Sequence, residues 1–188
     1  DWIWELPAPA FPSDRVNRAR LDAGRQIYEK RCAACHSPGS RGVGQTVELE
    51  KIGTDPERLH SFTAGLAKRM NTLGRGRPWK FSHFRKTDGY ASMPLVGVWL
   101  QAPYLHNGSV PTLRDLLTPP ENRPAVFWRG YDVYDYDNVG FVSSGREAER
   151  AGFRLDTGVR GNGRQGHAYG TDLKDSEKND LIEYLKTL

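Results

Sequence analysis

The sequence predicts a mostly helical domain with a helix near each end and long irregular loops between them. Three observations carry this. From about Asp14 to Arg31, the apolar residues Val16, Ala19, Ala23, Ile27 and Tyr28 recur at helical spacing, with Gly24 as an interruption. The closing residues place Leu181, Ile182, Leu185 and Leu188 on one stripe behind a cap at Asp175 or Ser176. Twenty glycines and 12 prolines in 188 residues leave room for few long helices.

That length suits one domain. A mean hydropathy of −0.67, with no apolar run near the roughly 18 residues a bilayer span needs, excludes an integral membrane chain. Lys and Arg number 27 against 23 Asp and Glu, a formal net charge of +4 without a dense basic run. Nucleic-acid binding is therefore not expected, and the excess fits a basic face that meets an acidic protein. The chain opens without Met and without a basic-then-apolar leader, which predicts a mature protein or an excised domain.

Residues 1–13 read as an extended arm, because three prolines exclude a helix while Trp2, Trp4 and Phe11 need cover. Residues 14–188 form the domain. Its first helix delivers the two cysteines, and a glycine-rich loop, Ser37 to Gly44, follows. Thr54-Asp55-Pro56-Glu57 starts a second helix, with Leu59, Phe62, Leu66 and Met70 facing inward. Asn71 to Tyr90 is turn-rich and basic, and Thr112 to Leu117 is a short helix between Pro111 and Pro119-Pro120. Residues 121–171 show little periodicity and are expected to be a long loop excursion with one short hairpin.

The cysteines decide the chemistry. Cys32-Ala33-Ala34-Cys35-His36 has the spacing of covalent c-type haem attachment, in which two thiols add across the vinyl groups and the adjacent histidine reaches the iron. A thioredoxin-like pair would follow a strand, not a helix, and a zinc site would need a second ligand pair. One motif predicts one haem c in a mostly α, class I-type cytochrome c domain, its terminal helices packed around that haem. Covalent attachment predicts a periplasmic or otherwise exported location. Trp79, Phe81, Phe84, Tyr90, Trp99 and Tyr104 are candidates to pack about the macrocycle.

Several residues compete for the far side of the iron. Met93 lies in a Met-Pro turn and offers a thioether, although methionine also fills cores. His167 stands between glycines just before the last helix. His106, His60 and His83 remain, as does an open site.

The run Tyr104-Leu105-His106-Asn107-Gly108-Ser109-Val110-Pro111-Thr112-Leu113 resembles a motif of the bacterial di-haem cytochrome c peroxidase superfamily. With Gly53 to Pro56, Pro94 to Trp99, Gly166 to Gly170 and Leu181 to Leu188, the likeness is closest to the rubber-oxygenase-like branch. The family carries two haems in two domains, so a chain with one CxxCH resembles the C-terminal haem half, either excised or as a mono-haem relative. Peroxidases of the family place a methionine ligand where this chain reads Thr118-Pro119-Pro120-Glu121. In the rubber-oxygenase-like branch the haem is bis-histidine, which implies His167 as the sixth ligand, demotes Met93, and leaves His106 a structural residue near the haem edge.

The leading expectation is electron transfer through one six-coordinate haem, with a redox protein or a second haem domain as partner. The alternative is a peroxidase- or oxygenase-like enzyme, or the haem half of a di-haem enzyme, in which His106 or Glu121 would handle protons. A calcium-like cluster of Asp132, Asp135 and Asp137 is a further, weaker reading.

Overall fold

The computed structural model describes residues 6–188, and Trp2 and Trp4 lie outside them. Helix α1 (Leu21–Arg31) and helix α8 (Asp175–Leu185) pack against each other. The expected helix from Asp14 begins only at Leu21. Before it run two 3₁₀ turns, Ser13–Arg15 and Arg18–Arg20, the second held by the Asn17 side chain accepting from the Ala19 N–H at 3.2 Å. Gly24 is the crossing point: a β-carbon there would lie 2.0 Å from the Asp180 carbonyl oxygen. The glycine that interrupts the apolar pattern is what lets the two backbones meet.

Arg20 donates to Asp180 at 2.6 Å and the Asn17 N–H to Glu183 at 2.7 Å, tying the entry of α1 to α8. Beneath the crossing, Tyr28, Leu181, Ile182 and Leu185 join Val98, Tyr104, Val110, Leu113, Leu117 and Val139 in the main core. The cap of α8 differs from expectation. Lys174 precedes the helix, and its N–H is accepted by Glu177 at 2.8 Å, so neither Asp175 nor Ser176 is the cap.

The middle of the chain is built of short pieces. Helix α2 (Ala33–His36) continues from α1, and strand β1 (Thr46–Glu48) pairs antiparallel with β2 (Gly89–Ala91). Between them lie α3 (Leu49–Ile52), α4 (Glu57–Ser61) and α5 (Ala64–Met70). Asp55 accepts from the Glu57 N–H at 2.9 Å and starts α4. The expected single helix breaks at Phe62, because Thr63 caps α5 by accepting from the Leu66 N–H. Helix α6 (Leu113–Leu116) is capped by Thr112 as its sequence suggests.

Residues 121–171 hold more structure than one hairpin. Strand β3 (Val126–Arg129) pairs with β6 (Phe153–Asp156), β4 (Tyr134–Asp135) pairs with β5 (Gly140–Phe141), and α7 (Arg146–Ala151) lies between the ladders. The β4–β5 turn explains the aspartates. The Asp135 carboxylate accepts from the Asp137 and Asn138 N–H groups and from the Asn138 side chain, so it caps a turn. Among the described residues no group of three or more acidic, histidine or cysteine side chains is arranged to hold a metal ion.

The arm is seated on the domain. Phe11 is 6% exposed, edge-on to Trp99 and Tyr136, with the Lys186 ammonium above its ring. The Trp99 indole donates to the Pro9 carbonyl at 3.0 Å.

Candidate haem site

The Cys32 N–H bonds the Tyr28 carbonyl at 2.8 Å, and the His36 N–H bonds that of Cys32 at 3.0 Å. This winds residues 32–36 into one turn and puts Cys32 and Cys35 on the same side of it. Both are free thiols. Burial pushes the Cys32 thiol up to about 11, with Arg31 opposing, so it is protonated at neutral pH.

His36 Nδ1 lies 2.7 Å from the Met93 carbonyl. A carbonyl can only accept, so Nδ1 is the donor, and in the neutral ring the lone pair lies on Nε2. Met93 thus meets His36 through its main chain, and its side chain is 63% exposed.

The His167 ring comes within 6.3 Å of the His36 ring, centre to centre, with the planes 54° apart. Metal–imidazole bonds run about 2 Å, and with a ring radius at each end two imidazoles sharing one ion span roughly 6 Å. The pair fits an iron between them. Burial, reinforced by His36, lowers the His167 pKa to about 4, so the ring is a neutral potential ligand. Its Nδ1 is shut off from solvent without a hydrogen-bond partner.

His167 also has φ +46°, an uncommon conformation for a residue with a β-carbon, of a kind that costs about 1–3 kcal/mol. The neighbouring structure imposes it. Gly166, at φ +81°, lies against the Gly53 backbone where a β-carbon would come within 2.4 Å, and the His167 N–H donates to the Ile52 carbonyl at 2.7 Å. The preceding residues are pinned as well. Asn107 donates to the Gly161 and Gly163 carbonyls, Ser109 donates to Gly163 at 2.9 Å, and Asp55 accepts from the Gly163 N–H. The segments around Asp55 and Asn107 therefore anchor the loop that carries His167.

Arg123 completes that anchor. It is 2% exposed and gives all five guanidinium N–H donors to main-chain carbonyls: Thr118, Arg164, Gly166, Leu116 and His167. Burial lowers its pKa to about 10, which leaves it charged.

The other candidates stand elsewhere. His106 stacks on Tyr90 at 4.3 Å, and burial lowers its pKa; its Nε2, like the Tyr90 hydroxyl, is buried without a partner. His60 and His83 are exposed, and so is Glu121, whose carbonyl is taken by Arg164. Of the proposed packing aromatics, Tyr104 is buried, whereas Trp79 and Phe81 are 63% and 45% exposed. The sequence pattern missed Arg123, because a side chain that binds carbonyls leaves no residue signature. It also missed Gly24, whose place on the inner stripe was the available signal.

Residues 89–129 match a family described as RoxA-like, cytochrome c-like, and residues 19–78 match cytochrome c oxidase, cbb3-type, subunit III. Two proteins of Sinorhizobium fredii are similar over 97% of this chain: y4iJ at 29% identity and y4iM at 33%. The chain spans 41% and 51% of their respective lengths. No helix among the described residues is long and apolar enough to cross a membrane.

Proposed function

We propose that this chain, which is a cytochrome c-like haem-binding domain related to the RoxA-like branch and to subunit III of cbb3-type oxidases, is the electron-relaying haem half of a peroxidase- or oxygenase-type enzyme. Cys32 and Cys35 would hold one haem c, and His36 and His167 would supply the two imidazoles to its iron. The observation that carries the reading is the 6.3 Å separation of the two imidazoles. When bound, a haem supplies one-electron chemistry, with potential and access set by its ligands and surroundings.

The chain's own residues then act in fixed ways. The Met93 carbonyl keeps His36 in one tautomer, ready to ligate through Nε2. Burial keeps His167 neutral, and its pinned loop fixes where the main chain carrying the ring stands. With His36 and His167 both engaged, this site would relay electrons, and bond-breaking chemistry would fall to another haem. A free-standing electron carrier is the simpler expectation from one CxxCH. The relatives' greater length and the RoxA-like match favour a half of something larger.

The partner is a second haem domain or a redox protein with an acidic face. Lys68, Arg69, Arg75, Arg77, Lys80 and Arg85 are exposed, no acid interrupts 68–87, and Trp79 projects among them. Opposite charge would steer such a partner to this lobe. Covalent haem attachment implies an exported location.

The test is expression with haem c maturation. The intact mass should exceed the polypeptide by one haem, the oxidised spectrum should be low-spin without a thioether band, and His167→Ala should turn it high-spin. A high-spin unmodified protein that binds cyanide at once would instead make this the reacting haem.

A further inference from the structure

We infer that Arg123 is the positioning residue for the sixth ligand: its guanidinium locks the His167 loop in the ligating conformation, and its buried charge raises the reduction potential of the bound haem. The inference rests on His36 and His167 being the ligands.

The geometry separates Arg123 from an ordinary core cation. A buried arginine usually meets a carboxylate, whereas here every donor goes to a main-chain carbonyl. Two bonds hold Leu116 and Thr118, at the end of α6, and three hold Arg164, Gly166 and His167. The side chain is thus a rigid fork between a packed helix and the histidine loop. From the other side, Ile52 accepts the His167 N–H at 2.7 Å. The His167 main chain is gripped on both sides of its α-carbon, at its N–H and at its C=O, which sustains the positive φ of a residue that would relax if either grip were lost.

The charge has a separate effect. Oxidation adds one positive charge at the iron, and a desolvated cation beside the ligand loop opposes it, so the reduced state is favoured. A neutral side chain of similar size should lower the potential. Arg164 is the natural control. It also staples this loop, to the Pro120 and Glu121 carbonyls and the Thr157 hydroxyl, but makes no bond to His167.

The experiment uses the haem-loaded full chain with His167→Ala, Arg123→Gln, Arg123→Lys and Arg164→Gln. It reads spin state, cyanide association rate and midpoint potential. Arg123→Gln is expected to bind cyanide at least tenfold faster than the unmodified protein, to show a high-spin fraction that added imidazole reverses, and to have a lower potential. Arg123→Lys keeps the charge but not the fork, so it should bind cyanide faster with a potential near the unmodified value. It carries the test if the neutral variant does not retain haem. Arg164→Gln, which loses a staple of the loop but no bond to His167, should change all three by clearly less than Arg123→Gln does. Arg123 variants with unchanged cyanide rates and potentials, or an Arg164→Gln effect as large as theirs, overturn the inference. A low-spin His167→Ala overturns the ligand assignment on which it rests, and is distinguished by leaving the spectrum unchanged before Arg123 is touched.

Discussion

Gly24 of α1 faces the Asp180 carbonyl of α8 across a gap that admits no β-carbon, which would stand 2.0 Å from the oxygen. Both atoms belong to regular helical backbone, so neither can turn aside as a side chain would. Gly24→Ala is expected to push the helices apart and destabilise the domain by about 1–3 kcal/mol, the usual range for overpacking, although alanine is the better helix former. Gly24→Val should be worse. Urea denaturation measures both, and a stabilised Gly24→Ala protein would show that the helices do not cross here.

The apolar face of α8 should be equally sensitive. Leu181 and Leu185 are 1% and 4% exposed. Truncating either to alanine leaves a cavity that costs about 2–5 kcal/mol, a large share of the stability of a single domain. Melting temperatures should fall by many degrees for both variants and by far less for Leu100→Ala, which is half exposed and outside the cluster.

Met93→Ala should leave the absorption spectrum of the haem-loaded protein nearly unchanged, because the bond to His36 comes from the Met93 main chain and survives truncation. His36→Ala and His167→Ala should each alter it. A Met93→Ala protein that turns high-spin would return the ligand role to the thioether.

Without haem, the buried His167 makes stability depend on pH. Its folded pKa of about 4 lies below the ordinary 6.5, so between these values the unfolded chain binds a proton that the folded chain does not. Stability therefore falls as pH drops from 6.5 toward 4, by at most roughly 3 kcal/mol from this group. A chain with both cysteines changed to serine should show that loss in urea midpoints, and adding His167→Gln should flatten the slope across this window.

The haem motif was legible because attachment chemistry fixes the spacing of Cys32, Cys35 and His36, and the two terminal helices because their apolar stripes are long enough to show a period. His167 came from a motif likeness, and nothing in its immediate sequence announces a strained backbone. Gly24 reads as an interruption because propensity treats glycine as a cost, while packing here requires that no β-carbon be present. The ladders after residue 121 escaped because strands of two to four residues are too short to alternate visibly. Arg123 escaped because its partners are backbone atoms, which every sequence possesses.

The pairing of α1 with α8 also governs the order of events during biogenesis. The first helix finds its partner only after nearly the whole domain has been synthesised, so the longest loop must close before the main cluster can form. Until then α1, the helix that leads into Cys32 and Cys35, is a short, unsupported segment of a length that is marginal in water. That helix thereby owes its persistence to the last element of the domain rather than to its own sequence.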